Sequence, residues 1–225
     1  MSFYQIPAPK KRNHFSFLSR LNLTGKIIAA NVILFIVFWV LMGLNVLPIE
    51  YIAIMPANIL AGKYLWTFIT SMFMHGSFFH LFANMISLYF VGTLVERIVG
   101  KKRYLRFYLI AGLISGLLFV LSPVVFPQDM NTFAVGASGA LFGLIGALIF
   151  LTPNLPVYAM FIPIPIKMKY AAPGMLVLLW LISIGAGIPI GNVAHFGGLM
   201  AGLVYGVVLK KKFPNKVAFI QRKFS

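Results

Sequence analysis

Apolar stretches at about 27–47, 79–95, 105–126, 134–152, 172–188 and 191–209 are each long enough to cross a lipid bilayer, or nearly so. No other feature restricts the fold as strongly. A segment in hydrocarbon must satisfy its backbone N–H and C=O groups internally, so runs of this length form helices. Hydrophobic residues make up 60% of the 225 and charged residues 10%, against about 25% charged in a soluble domain. That leaves too little polar surface to cover the outside of a water-soluble fold. The expected fold class is an all-α membrane protein with six transmembrane helices. A basic N-terminal tail (1–26) precedes a six-span core (27–210), and a basic C-terminal tail (211–225) follows it. The last two stretches are divided only by Gly185, Gly187, Pro189 and Gly191, whose turn chemistry favours a hairpin over one long helix.

The lysines and arginines test this division. Lys10, Lys11, Arg12, Arg20 and Lys26 precede the first stretch, and Arg97, Lys101, Lys102, Arg103 and Arg106 follow the second. Lys167 and Lys169 follow the fourth, and Lys210, Lys211, Lys212, Lys216, Arg222 and Lys223 follow the sixth. The other loops hold only Lys63. This positive-inside pattern predicts a multi-pass protein of the cell membrane with both termini in the cytoplasm. The first stretch is too long for a signal peptide and lacks an A-x-A cleavage site, so it reads as a retained span. The net charge of +16 falls in blocks between apolar runs rather than along one face, which argues against a nucleic-acid partner. The absence of cysteine excludes disulfides, thiolate metal sites and thiol nucleophiles.

Two loops differ in character. The external loop 48–78 holds Trp66, Phe68, Phe73 and several methionines and reads as a segment lying in the membrane interface. The cytoplasmic loop 153–171, with Pro153, Pro156, Pro163 and Pro165, reads as a plain extended connector.

Polar residues in or beside the spans carry the functional information. His75, His80 and Asn84 lie at the start of the second span, Gly136, Ser138, Gly139 and Gly143 at the start of the fourth, and Asn192, His195, Gly198 and Gly202 at the start of the sixth. These three spans all begin on the external side, so their polar groups share one depth. His80 and Asn84, four apart, share one helix face. Nucleophilic acyl transfer fits this set: Ser138 as nucleophile, His195 as its base, and an oxyanion hole from the Ser138 N–H with His80 and Asn84. Gly136 and Gly139 leave room beside the serine, and Gly139-x-x-x-Gly143 and Gly198-x-x-x-Gly202 are small-residue packing faces. Only Glu50, Glu96 and Asp129 are acidic. A Ser–His dyad is therefore expected, with Asp129 left open as a third member. A metal held by His75, His80 and His195 lacks an HExxH pattern and a supporting carboxylate, and no metal or cofactor is expected. A transporter would carry internal repeats or broken helices, and the chain has neither.

These residues resemble the signatures of rhomboid intramembrane serine proteases: Gly136-Ala-Ser138-Gly139 through Gly143, Ala194-His195 through Gly202, and His75-Gly-Ser-Phe-Phe-His80 through Asn84, with Glu96-Arg97 as a further point of similarity. The resemblance spans about 27–210. It implies a rhomboid-like helical bundle of the basic six-span prokaryotic type, with Ser138 and His195 catalytic, His80 and Asn84 in the oxyanion hole and His75 at the rim. It also implies membrane-protein substrates cut in or near a transmembrane segment, and a mobile gate formed by span five and the cap that follows it. Many members carry Arg after the loop tryptophan, whereas Thr67 follows Trp66 here, which bears on how that loop is anchored. The alternative is a non-proteolytic rhomboid-like protein that binds or escorts membrane clients.

Overall fold

The computed structural model describes residues 21–158, 164–187 and 190–224. Lys10, Lys11, Arg12, Arg20, Pro163 and Pro189, all used above, lie outside the described residues.

The molecule is an all-α membrane bundle. Five described helices are long and apolar enough to cross a bilayer: Leu23–Gly43, Phe78–Val99, Lys101–Val124, Met168–Ala186 and Asn192–Lys212. A shorter apolar helix, Ser138–Leu151, stands between the third and fourth of these. In chain order they are spans one to six. The spans begin and end a few residues away from the apolar runs because caps and turns, not hydropathy, set helix ends.

Span four is the structural centre. At 14 residues it is about 21 Å long, short of the roughly 30 Å of hydrocarbon. Its Gly139, Ala140, Leu141, Phe142 and Gly143 are all buried, whereas most of span one faces outward. Spans four and six touch backbone to backbone. A Cβ on Gly198 or Gly202 would collide with the carbonyl oxygens of Gly139 and Gly143 respectively, and one on Gly146 with that of Leu199. In lipid no hydrophobic effect drives helices together, so close packing of small residues supplies the attraction.

Span two contains a π-helical turn, Leu88–Gly92. It brings Gly92 against Tyr104, where an added Cβ would come 2.7 Å from the hydroxyl. Gly100, at φ +84°, turns the chain directly into span three. Below that turn Glu96 is buried and accepts from the N–H groups of Leu23 (3.1 Å) and Thr24 (2.8 Å) and from the Thr24 hydroxyl (2.7 Å). The carboxylate thus caps span one, where unpaired N–H groups and the helix dipole both favour an anion.

The loop 48–78 is folded rather than draped. It holds a 3-10 turn (Ile49–Tyr51), short helices at Pro56–Leu60 and Thr67–Thr70, and a second 3-10 turn (Ser71–Phe73). Trp66 donates its indole N–H to the Tyr51 carbonyl (2.9 Å), and Thr67 is fully buried beneath it. Leu60, Leu65, Trp66 and Ile69 stay exposed. An Ile54–Ala134 bridge and a bond from Gly136 N to Ser71 O (2.8 Å) tie this loop to the strand entering span four.

One expectation needs correction. The loop 153–171 is not a plain connector: Pro156–Val157 and Ile166–Lys167 pair antiparallel, and span five starts at Met168, because an isolated extended loop would leave these backbone groups unpaired. The C-terminal tail is helical over Pro214–Lys223 and buries Val217 and Ile220 against the bundle. Its Gln221 amide donates to the Phe150 carbonyl (2.7 Å). Span five is the loosest of the set, burying only Met168 and Ala172.

Candidate active site

The strand before span four prepares the serine. Gly136 has φ +123°, a left-handed conformation that L side chains avoid. The space over its Cα is also taken, since a Cβ there would lie 2.9 Å from both Cε1 and Nε2 of His80 and 3.6 Å from Ser138 Oγ. His80 and Ser138 therefore flank one small space above Gly136. The Ala137 N–H points to His75 Nε2 (3.5 Å), and the first helical bond runs from Leu141 N to Ala137 O (3.0 Å). The Ser138 amide lies at the open end of the helix, where N–H groups have no intrahelical acceptor.

His195 comes from the first turn of span six, and its Nε2 lies 2.8 Å from Ser138 Oγ. The imidazole is buried and stacked on Phe142, with centroids 4.8 Å apart and planes at 24°. Phe142 sits one turn along span four from Ser138, so one helix carries both the hydroxyl and the platform for its partner. The Nδ1 of His195 has no hydrogen-bond partner among the described residues. Asp129 is engaged elsewhere, its carboxylate accepting from the Ser122 hydroxyl (2.6 Å).

Span two contributes the third wall. Ser77 caps it by accepting from the His80 N–H (3.1 Å). His80 Nδ1 accepts from the Gly76 N–H (3.4 Å), an arrangement that puts the proton on Nε2, the nitrogen facing Gly136. His75 packs edge-on to His80, with centroids 5.1 Å apart. Burial, reinforced by His80, holds the His75 imidazole well below its ordinary range, at about 3, and the Phe73 backbone offsets this only in part. It is neutral near pH 7 and serves as the hydrogen-bond acceptor that Ala137 requires. Asn84 is buried on the His80 face, and its amide donates to the His80 carbonyl (3.0 Å), within its own helix rather than at Ser138.

Sequence reasoning missed Ser115 and Phe142. The Ser115 hydroxyl on span three donates to the carbonyl of Ala194, the residue before His195, at 2.7 Å. It also occupies the space that a Cβ on Gly139 would need. A serine inside an apolar run was the available signal. Phe142 gave none, since one phenylalanine among 22 is not distinctive. The expected site residues otherwise meet: Ser138, His195, His80, His75 and Gly136 share one region, and Gly139, Gly143, Gly198 and Gly202 form the seam beside it.

The arrangement holds a hydroxyl against an imidazole, with N–H donors around the same space, near the end of the bundle where spans two, four and six begin. Such a group can open an acyl compound and stabilise the anion that forms.

Comparison with known proteins points the same way. A family model described as "Rhomboid domain" matches residues 62–212. RHOMBOID-like protein 5 of Arabidopsis thaliana is 37% identical over 147 residues, covering 64% of this chain and 44% of that protein. RHOMBOID-like protein 1 of the same plant is 33% identical over 172 residues, 75% of this chain and 41% of that protein. Rhomboid protease GluP of Bacillus subtilis (strain 168) is 33% identical over 164 residues, 71% of this chain and 29% of that protein. The chain thus spans less than half the length of these relatives.

Proposed function

The chain belongs to the rhomboid family, and from that membership we propose that it is an intramembrane serine endopeptidase working through a Ser138–His195 dyad. The observation that carries this reading is the 2.8 Å separation of His195 Nε2 and Ser138 Oγ. Ser138 Oγ attacks a peptide carbonyl in or near the transmembrane segment of a membrane-protein substrate, and His195 Nε2 takes its proton. The oxyanion accepts from the Ser138 N–H and His80 Nε2–H. Asn84 contributes the amide hydrogen not used at the His80 carbonyl. His195 returns the proton to the leaving amine, and water then hydrolyses the acyl-enzyme by the same steps. No cofactor takes part. His75 supports the rim by holding the Ala137 amide, and Gly136 and Gly139 keep the approach to the serine clear.

The core is 27–210, in the cell membrane, with the basic segments 1–26 and 211–225 on its cytoplasmic side. The lysine and arginine distribution supports that orientation. Span five, the least buried helix, is the natural side for substrate entry.

The test is cleavage of a single-span reporter by the purified protein in lipid, comparing wild type with Ser138→Ala. Cleavage by wild type alone supports the dyad. Equal behaviour across several reporters moves the assignment to a client-binding, non-proteolytic member of the family.

A further inference from the structure

At the end of the bundle remote from Ser138, the helix Pro214–Lys223 lies across the exits of spans two, four and six and encloses a cleft of about 50 Å³. Its walls are apolar, with Ile98, Leu209, Phe213 and Val217 among them, and among the described residues its only charged lining residues are Arg103 and Lys216. The Arg103 guanidinium lies 4.9 Å from the centroid of the Phe213 ring, which fixes the cation beside the cleft. Among the described residues, neither cation has an ion-pair partner. The chain contains three acidic side chains. Glu96 is taken up in capping span one, while Glu50 and Asp129 belong to 3-10 turns at the opposite end.

We propose that this cleft is a binding site for one anionic phospholipid. The phosphate lies between Arg103 and Lys216, and the first acyl carbons enter the apolar notch beside Phe213 and Val217. Charge complementarity calls for an anion, and a guanidinium forks onto phosphate oxygens in two places. The apolar walls, at the rim of the membrane-crossing helices, select a lipid over free phosphate. The cleft has room for a few methylenes and none for a folded peptide.

The test uses the full chain purified from micelles containing equal phosphatidylglycerol and phosphatidylcholine, with retained lipid quantified by mass spectrometry. Wild type should enrich phosphatidylglycerol on the order of tenfold, given two basic residues at a membrane surface. Arg103→Gln with Lys216→Gln should bring the ratio close to unity, and Arg103→Lys with Lys216→Arg should keep it. Lys167→Gln with Lys169→Gln, outside the cleft, should leave it unchanged. Enrichment that survives the first pair, or falls equally with the control pair, overturns the site. If the first pair does not fold, wild type decides the matter through competition. Displacement of phosphatidylglycerol by millimolar glycerol phosphate or inorganic phosphate would make this a free-anion site and overturn the lipid assignment. Displacement only by short-chain phosphatidylglycerol supports it.

Discussion

His195 and Ser138, 57 residues apart in the chain, meet at 2.8 Å because the helices that carry them touch through glycine. Backbone contact at Gly198 and Gly139 leaves no room for the imidazole to retreat, and stacking on Phe142 limits its rotation. The hydrogen bond is thus a product of helix packing.

Replacing His195 with Ala should lower turnover by about 10²- to 10⁴-fold, the range for losing a general base. Because the two residues act as a unit, adding Ser138→Ala should lower it little further. Initial rates of reporter cleavage for the single and double variants check this, with circular dichroism confirming retained helix. Additive losses would separate the two residues.

His80→Ala should cost roughly 10²- to 10³-fold in kcat with little change in KM, as loss of a transition-state donor does. Asn84→Ala should have the smaller effect, since its amide already serves the His80 carbonyl. Steady-state kinetics with one reporter resolve the two; weakened binding at unchanged kcat would remove His80 from the oxyanion hole.

Gly136→Ala should lose activity at least as severely as His80→Ala. The substitution meets both a φ of +123° and the His80 ring, and strained backbone of this kind costs about 1–3 kcal/mol. Cleavage rate and unfolding midpoint, measured together, check both consequences.

Glu96→Gln should destabilise the fold by about 1–3 kcal/mol, because a buried charged acceptor serves three donors from the start of span one. Ser138 lies at the other end of the bundle, so the residual folded fraction should keep its specific activity. Unfolding in mixed micelles and active-site titration measure the two quantities.

His75 sets an acid limit. Its folded value of about 3 lies below the ordinary 6.5, so the unfolded chain binds the extra proton first. Stability is therefore complete above pH 6.5 and declines progressively as pH falls toward 3. Comparing the unfolding midpoint at pH 7 and pH 4 for wild type and His75→Gln checks this: the variant should lose less on acidification.

Much of this was readable in advance, for physical reasons. Hydrocarbon thickness fixes how long an apolar run must be, and lysine placement fixes which ends lie together, so the bundle could be drawn without coordinates. Ser138, His80 and His195 stood out because polar groups are expensive in lipid. Ser115 was concealed because a serine can satisfy its hydroxyl inside its own helix, and only the fold reveals that it reaches the Ala194 carbonyl instead. The Asn84 back-bond, the π turn at Leu88–Gly92 and the pairing of Pro156–Val157 with Ile166–Lys167 depend on neighbours that periodicity does not encode.

The Glu96 cap also bears on the order of biosynthesis. The amides of Leu23 and Thr24 emerge from the ribosome 73 and 72 residues ahead of the carboxylate that receives them. Span one therefore enters the membrane with its start unfinished and is completed only when the far end of span two arrives. The two helices mature as a pair, since a chain that ends before Glu96 leaves the Leu23 and Thr24 amides without this acceptor.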